Sequence, residues 1–266
     1  MLRRRDFLAL AAAIPAIGKV TTRTAGKVQS AFKSPGPKPN GLQATREGLW
    51  ILDQGDNRAY LVRYEDGGVL RALDTDSKAG SGITFDGEAI WIASTYSREI
   101  IRADARTGKT LAKYETPGAG VVKWTTSRRS PLATPPAPAQ VRTVAAAPAP
   151  ETRQATGAHG MEWRDGRLWI AVPPSQTIYR VNPQGFTIEH QFPTSGNRPH
   201  GLGWEGKWLW CVDSNLNAFF KHDPATGEIV EKIQLDDKDP LPHGMTIWQG
   251  TMWYCDDVGV VCRLKM

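Results

Sequence analysis

A segment of about 40 residues recurs five times along this chain, and the recurrence limits the fold more than any other feature of the sequence. The copies begin at Asn40, Ser81, His159, His200 and His243, so the spacings are 41, 78, 41 and 43 residues, and 78 is twice 39. A constant period of this length is typical of β-propellers and solenoids, in which each repeat buries its apolar faces against its neighbours.

Each complete copy divides into four short strands. In the copy that opens at His200 they read HGLGW, WLWCVD, AFFKHD and EIVEKIQL, and the turn DPATGE before the last strand carries a glycine suited to positive φ. Every connection within a copy is short enough for a hairpin, which argues against a parallel-sheet repeat. We therefore predict an all-β fold, a β-propeller built from four-stranded blades.

Tryptophan marks the second strand of every copy. Five of the ten tryptophans in the 266-residue chain hold this one place, namely Trp50, Trp91, Trp169, Trp210 and Trp253. A single blade cannot bury both of its faces, so we expect these side chains to fill the space between adjacent blades. The repeat thus predicts one domain over residues 27–266.

The two ends of the repeat array complement each other. The copy at His243 ends after its third strand, whereas residues 27–39, KVQSAFKSPGPKP, have the pattern of a fourth strand followed by a linker. We predict that Val28–Lys33 pairs with Val260–Lys265 and closes the ring. This arrangement gives five blades.

Residues 117–156 interrupt the repeat. The octapeptide PGAGVVKW at 117–124 aligns with TGAHGMEW at 156–163, but a run rich in proline and alanine follows it. That run has too few large apolar residues to bury a blade face. We predict a disordered insertion at about 125–156. A sixth, degenerate blade is the alternative, and the double spacing of 78 residues favours it.

Residues 1–26 have the pattern of an export signal. A basic start precedes an apolar Leu/Ala run that is too short to span a membrane, and RRDFL at 4–8 resembles the twin-arginine motif. The resemblance implies a periplasmic or secreted bacterial protein whose mature form is not inserted in a membrane. Without residues 1–25 the net charge falls from +6 to +2, and with no basic stripe in the repeats we expect no nucleic-acid partner.

Two positions of the repeat should meet at one mouth of the central channel. One is the opening residue of each copy, and the other lies three residues after the second-strand tryptophan: Asp53, Ser94, Val172, Asp213 and Asp256. Three imidazoles and three carboxylates around one mouth suit a metal, substrate or acid–base site. A structural reading stays open, in which each histidine caps a strand and each aspartate holds a turn.

The motifs P-H-G-[LM], [LM]-W-x-x-D, R-x-x-P and T-G resemble the repeats of virginiamycin B lyase-like and NHL-type propellers over nearly all of 38–116 and 157–266. The resemblance implies a catalytic base at His243, a metal ligand at Asp256 and a substrate-binding residue at His200. Leu241 stands where the lyase family has a second metal-binding glutamate, and that family has seven blades.

Two other propeller families suggest further ligand sets. Peptidyl-hydroxyglycine lyases place three channel histidines on zinc, which His159, His200 and His243 match. Gluconolactonase-like propellers use carboxylates and an asparagine, which Asn40, Asp53 and Asp213 match in part. Plant-type glutaminyl cyclases also have five blades, but none of their signature segments is present here.

Two functions follow as hypotheses. One is an exported lyase or hydrolase that acts on a small cyclic or ester-like molecule, with His243 as catalytic residue, with His200, His159 and Asn40 binding substrate, and with Asp256, Asp213 and the three histidines as metal ligands. The expected cofactor is a divalent ion, magnesium or zinc, and no organic cofactor. The other is a non-catalytic propeller that binds a small molecule, peptide, glycan or protein.

The chain has three cysteines, and two of them, Cys255 and Cys262, flank the last hairpin turn. We expect them to lie opposite each other, either as a disulfide, which export permits, or as two buried thiols.

Overall fold

The structure is a computed structural model that describes residues 20–133 and 154–266. These residues form β-strands joined by turns and contain no helix, hence none that could cross a membrane. Residues 1–19 of the predicted export signal and 134–153 of the predicted insertion lie outside the described ranges. In chain order the strands are β1 (Thr21–Thr24), β2 (Gln29–Lys33), β3 (Pro39–Ala44), β4 (Leu49–Asp53), β5 (Arg58–Val62), β6 (Val69–Asp74), β7 (Gly82–Phe85), β8 (Ala89–Ser94), β9 (Glu99–Asp104), β10 (Thr110–Glu115), β11 (Gly120–Val121), β12 (Ala155–Thr156), β13 (Gly160–Arg164), β14 (Arg167–Val172), β15 (Thr177–Asn182), β16 (Thr187–Pro193), β17 (Pro199–Glu205), β18 (Trp208–Asp213), β19 (Ala218–His222), β20 (Ile229–Gln234), β21 (Met245–Trp248), β22 (Thr251–Asp256) and β23 (Val260–Lys265).

Five blades form a β-propeller, as the repeat predicts. Blades 1 to 4 are the antiparallel sheets β3–β6, β7–β10, β13–β16 and β17–β20, and blade 5 is β21–β22–β23–β2. Their first strands, β3, β7, β13, β17 and β21, contact one another in a ring around the central axis. Between blades 2 and 3 the described residues contain only the short pair β11–β12 in place of a sixth blade.

The N-terminal strand closes the ring. β2 pairs antiparallel with β23, from Gln29 opposite Arg263 to Lys33 opposite Val260, which confirms the predicted pairing. A second strand adds to the closure, because β1 runs parallel to β20 on the outer edge of blade 4. Arg23 of β1 forms a bidentate ion pair with Glu231 of β20. The N-terminal residues therefore hold two neighbouring blades.

Glycine follows each opening residue because the first strands touch at the axis. A Cβ atom at Gly201 would overlap the backbone nitrogen of Met245, and one at Gly160 would overlap the carbonyl oxygen of His200. The same contact with the next blade occurs at Gly41, Gly82 and Gly244. A five-bladed ring has a narrow channel, so only glycine fits where neighbouring first strands are this close.

The five second-strand tryptophans fill the space between blades, as predicted. Each is at least 95% buried, and each has a cation over its indole ring. The pairs are Trp50 with Arg71, Trp91 with Arg102, Trp169 with Arg180, Trp210 with Lys221, and Trp253 with Arg263. In four blades the cation is the cross-strand partner of the tryptophan on the third strand. Each pair adds cation–π attraction to the buried apolar area.

The register of the last hairpin corrects the expectation for its cysteines. Cys262 lies opposite Tyr254, and Cys255 lies opposite Val261, so the two cysteines are offset by one residue. An offset of one residue places two side chains on opposite faces of a sheet. All three cysteines are free and buried, which agrees with the alternative of buried thiols.

Candidate functional site

The five opening residues line one cavity at an end of the central channel, which we call the mouth. Its volume is about 430 Å³. The mouth is formed by Lys38, Asn40, Gln54, Ser81, Tyr96, Val122, Trp124, Thr125, Ser127, Gln154, Thr156, His159, Arg198, His200, His243 and Asp257. The structure thus brings together Asn40 and all three predicted histidines.

The three imidazoles lie edge to face in consecutive blades. His159 Nδ1 is 3.1 Å from His200 Nε2, and the ring centroids of these two residues are 4.7 Å apart. The rings of His200 and His243 are 4.8 Å apart. All three side chains are buried. One repeat position, copied in three neighbouring blades, therefore builds a row of aromatic bases.

Backbone carbonyls fix the tautomers of this row. A carbonyl oxygen only accepts, so His200 Nδ1, which lies 3.1 Å from the carbonyl oxygen of Arg198, carries the proton. His200 Nε2 is then a bare acceptor, and His159 Nδ1 donates to it. His243 Nδ1 likewise donates to the carbonyl oxygen of Leu241, at 3.4 Å. Each of the three histidines therefore has an unprotonated Nε2, which we call a bare nitrogen.

All three imidazoles are neutral at pH 7. Burial, with smaller contributions from Arg198 and His243, lowers the pKa of His159 to about 3. Burial also lowers the pKa of His243 to about 4, against the opposing effect of Asp257. The pKa of His200 falls well below its usual range for the same reason. Neutral imidazoles accept hydrogen bonds and bind metals through the bare nitrogen.

Arg198 brings a positive charge into the mouth. Its Nη2 donates to His243 Nε2 at 3.3 Å, its Nη1 donates to the carbonyl oxygen of Arg128 at 3.2 Å, and its guanidinium lies 5.9 Å from the centre of the Trp124 ring. Trp124 also meets His159 edge to face, at 6.4 Å. Arg198 and His159 thus contact the same indole ring.

The repeated aspartates hold the linkers that enter the blades. Asp213 Oδ2 accepts from the backbone nitrogen of Arg198 at 2.8 Å, and its Oδ1 accepts from that of Leu216 at 2.9 Å. In the same way, Asp53 Oδ2 accepts a hydrogen bond from the backbone nitrogen of Lys38, and Asp256 Oδ2 accepts one from that of Leu241. In blade 2, Ser94 Oγ accepts a hydrogen bond from the backbone nitrogen of Lys78. These bonds account for Asp53 and Asp213 without a metal ion.

His243, Asp256 and Asp257 form a group that could hold a divalent ion. One ligand atom from each lies within 4.8 Å of the others. His243 Nε2 is 3.8 Å from Asp257 Oδ2, and burial raises the pKa of Asp256 to about 6. An ion on His243 Nε2 would replace the hydrogen bond from Arg198.

The three-histidine zinc arrangement does not match this geometry. Two of its nitrogens, His159 Nδ1 and His200 Nε2, are hydrogen-bonded to each other, whereas zinc ligands direct bare lone pairs at one point. Among residues 20–133 and 154–266, the group of His243, Asp256 and Asp257 is the one set of three such side chains close enough for a shared ion.

Residues 125–133, the first part of the predicted insertion that the structure describes, lie beside the mouth, and Thr125 and Ser127 line it. Ser130 Oγ donates to Asp256 Oδ2 at 2.5 Å, and the backbone nitrogen of Arg128 donates to Asn215 Oδ1 at 3.1 Å. Because this segment contacts both a candidate metal ligand and, through its carbonyl, Arg198, it helps to position them.

A second set of polar side chains lies three residues after the opening positions. Thr84 Oγ1 donates to Gln43 Oε1 at 2.5 Å, and Gln43 Nε2 donates to Glu162 Oε1 at 3.3 Å. Glu162 is 6% exposed, its Oε2 has no hydrogen-bond partner among the described residues, and burial raises its pKa to about 8. The carboxyl group is therefore largely protonated at pH 7.

Sequence reasoning missed Arg198, Trp124 and Asp257. Arg198 lies two residues before an opening histidine, where other copies have Lys38 and Leu241, so the repeat gives it no distinction. Trp124 lies in the interrupted copy. Asp257 follows Asp256 directly, and this acidic pair was the one available signal.

Comparisons with known proteins place the chain among β-propellers by fold alone. No family model and no curated protein matches the sequence. The glutaminyl cyclase of Myxococcus xanthus superposes with a TM-score of 0.65 at 10% identity, over 93% of this chain and 98% of that one. A catalytically inactive virginiamycin B lyase of Staphylococcus aureus, solved with quinupristin, superposes with a TM-score of 0.49 at 19% identity, over 86% of this chain and 66% of that one. A streptogramin B lyase gives 0.48 at 13% identity, over 91% and 98%. What this chain shares with the glutaminyl cyclase at 10% identity is the propeller fold.

Proposed function

We propose that this chain is an exported enzyme of the lyase or hydrolase class that acts on a small cyclic or ester-like molecule at the mouth. One observation carries the proposal: three neutral imidazoles, Arg198 and Asp257 converge on a single cavity of about 430 Å³. This volume lies in the range of sites for small molecules. Clustered bases, a cation and an acid in a cleft are the features of reaction sites rather than of packing.

The residues divide into three roles. His243, with its bare Nε2, is the base or a metal ligand. Asp257 and Asp256 are the carboxylate ligands, with nitrogen and oxygen donors that suit zinc better than magnesium. A divalent ion held there would polarise a carbonyl group and lower the pKa of bound water. Arg198 is the built-in cation, and it would balance negative charge that develops on the substrate.

Elemental analysis combined with a turnover assay tests this function. We expect the purified protein to retain a stoichiometric divalent metal and to open cyclic esters, and Asp257→Asn to lose both. Asp165→Asn is the matched control, because Asp165 is exposed and its positive φ of 51° suits asparagine. A protein with neither metal nor turnover against lactones and cyclic depsipeptides would contradict the proposal.

A further inference from the structure

We infer that the ligand of the mouth is a small hydroxy carboxylate, whose anionic group binds Arg198 and whose hydroxyl group donates to His159 Nε2. The inference rests on the proposed function, since it names the substrate class of that same site. Three observations lead to it, and none of them depends on the chemistry of turnover.

The first observation is a buried acceptor with no donor. His159 Nδ1 is committed to His200, because the carbonyl oxygen of Arg198 fixes the tautomer of His200. His159 Nε2 is therefore a bare lone pair. His159 is 8% exposed, and this nitrogen has no hydrogen-bond partner among the described residues. An acceptor that is buried in this way favours a ligand that supplies a donor.

The second observation is a cation with no ion pair. Within the described ranges no carboxylate oxygen is close enough to form an ion pair with Arg198, although the charges of Asp257 and Asp213 act on it from farther away. The acceptors of its guanidinium are the neutral His243 Nε2 and the carbonyl oxygen of Arg128. A guanidinium has five N–H donors, so most of them remain for a ligand. Lys38 adds a second positive charge to the mouth wall. A planar carboxylate is the natural partner of such a group.

The third observation is that these two groups flank the same indole ring. The indole of Trp124 lies under the guanidinium of Arg198, at 5.9 Å, and against the edge of His159, at 6.4 Å. The charge of Arg198 acts on His159, so the two groups lie on the same side of the mouth, where one small molecule would meet both. Asn40, 3% exposed, offers a second acceptor on the mouth wall, because its Oδ1 also has no hydrogen-bond partner among the described residues. Two acceptors beside a guanidinium that has N–H donors to spare match a carboxylate that bears hydroxyl groups.

Glycolate is the minimal probe of this inference, with two analogues that each remove one feature. Methoxyacetate keeps the carboxylate and lacks the hydroxyl donor, and glycolamide keeps the hydroxyl group and lacks the charge. We expect glycolate to bind the intact protein with a Kd on the order of 1 mM and to shift the NMR signals of Trp124 and the histidines. Both analogues should bind at least tenfold more weakly.

Two variants assign the lost affinity to residues. In His159→Phe, glycolate and methoxyacetate should bind equally, because the acceptor is gone. In Arg198→Gln, glycolate and glycolamide should bind equally. Circular dichroism confirms that each variant is folded, and the comparison of three ligands on the unchanged protein does not depend on either variant.

Equal affinity of the unchanged protein for all three probes would overturn the inference, as would the absence of any shift at the mouth with glycolate at about 100 mM, far above the expected Kd. The metal alone is a separate arm. If zinc shifts the His159 signals and glycolate does not, His159 Nε2 is a metal ligand and the inference fails. Metal-dependent turnover of cyclic esters without glycolate binding would leave the proposed function intact, whereas glycolate binding without turnover would contradict only that function.

Discussion

His159 Nδ1 and His200 Nε2 lie 3.1 Å apart although the two residues are 41 positions apart in the sequence. The contact follows from the repeat, because both residues open a blade and the two blades are neighbours. The contact also fixes the direction of the hydrogen bonds. His200 Nδ1 donates to the carbonyl oxygen of Arg198, and His159 Nδ1 in turn donates to His200 Nε2. A structural hydrogen bond on His200, in the middle of the row, thereby leaves an unprotonated Nε2 on His159 at its end.

The glycine after each opening residue should be indispensable for stability. Gly201→Ala places a Cβ atom on the backbone of Met245, so we expect a loss of roughly 3 kcal/mol or more in the free energy of unfolding. Gly120→Ala is the control, because its added Cβ would meet Pro174 at an ordinary 3.8 Å. Urea unfolding of both variants measures the difference, and equal stabilities would refute the tight packing at the axis.

Shortening the N-terminus should reveal two steps of ring closure. A chain that starts at Lys27 loses β1 and the pairing of Arg23 with Glu231, and we expect a modest fall in Tm. A chain that starts at Ser34 also loses β2 and the packing of Phe32 against Trp253, and we expect loss of cooperative unfolding. The reference is a chain that starts at Val20. Closure by β2 would be wrong if the two shortened chains unfolded at the same temperature.

Glu162 should make the protein less stable as the pH rises. Its pKa of about 8 in the folded state lies above its ordinary value of 4.5, so the folded state holds the proton more tightly than the unfolded state does. The free energy of unfolding attributable to Glu162 therefore falls between about pH 4.5 and 8, by about 1.4 kcal/mol per pH unit at most. Glu162→Gln should remove this slope.

The buried histidines make the protein less stable as the pH falls, because the pKa values of His159 and His243 are about 3 and about 4 in the folded state. Their contribution is lost as the pH falls below 6.5, their ordinary value. Both variants keep the histidines, so comparison of Glu162→Gln with the exposed control Glu228→Gln over roughly pH 5 to 9, which covers most of the range of the glutamate, isolates its contribution. Parallel stability curves would contradict the raised pKa.

Asp213 should behave as a structural residue. Asp213→Ala leaves the backbone nitrogens of Arg198 and Leu216 without their acceptor, so we expect a loss of about 3 kcal/mol in stability and no change in metal content. Asp223→Ala, which removes a similar bond to Ala225 in an exposed turn, is the control. A loss of metal from folded Asp213→Ala protein would contradict this and show that Asp213 is a metal ligand.

Periodicity made the fold and the convergence of the histidines predictable. The glycines, tryptophans and opening residues each recur once per blade in the sequence, so each takes the same place in every blade of the structure. Even the missing fourth strand of the last copy could be matched to Val28–Lys33, because an incomplete blade leaves an unpaired strand edge.

The chemistry of the mouth was less accessible because it depends on contacts that are not periodic. The repeat could not tell that Asp213 accepts linker amides whereas Asp257 faces His243. Nor could it show that Trp124, from the interrupted copy, lies against His159. Similarly, the one-residue offset between Cys255 and Cys262 is set by the turn length of a single hairpin.

The tautomers of the three mouth histidines test the account most directly. Long-range ¹H–¹⁵N NMR of protein labelled at histidine distinguishes a protonated from a bare ring nitrogen. At neutral pH we expect His159, His200 and His243 to be neutral, each with its proton on Nδ1 and a bare Nε2. A proton on Nε2 of His159, or a charged imidazolium at any of the three, would contradict the hydrogen-bonded row and the ligand specificity that we derive from it.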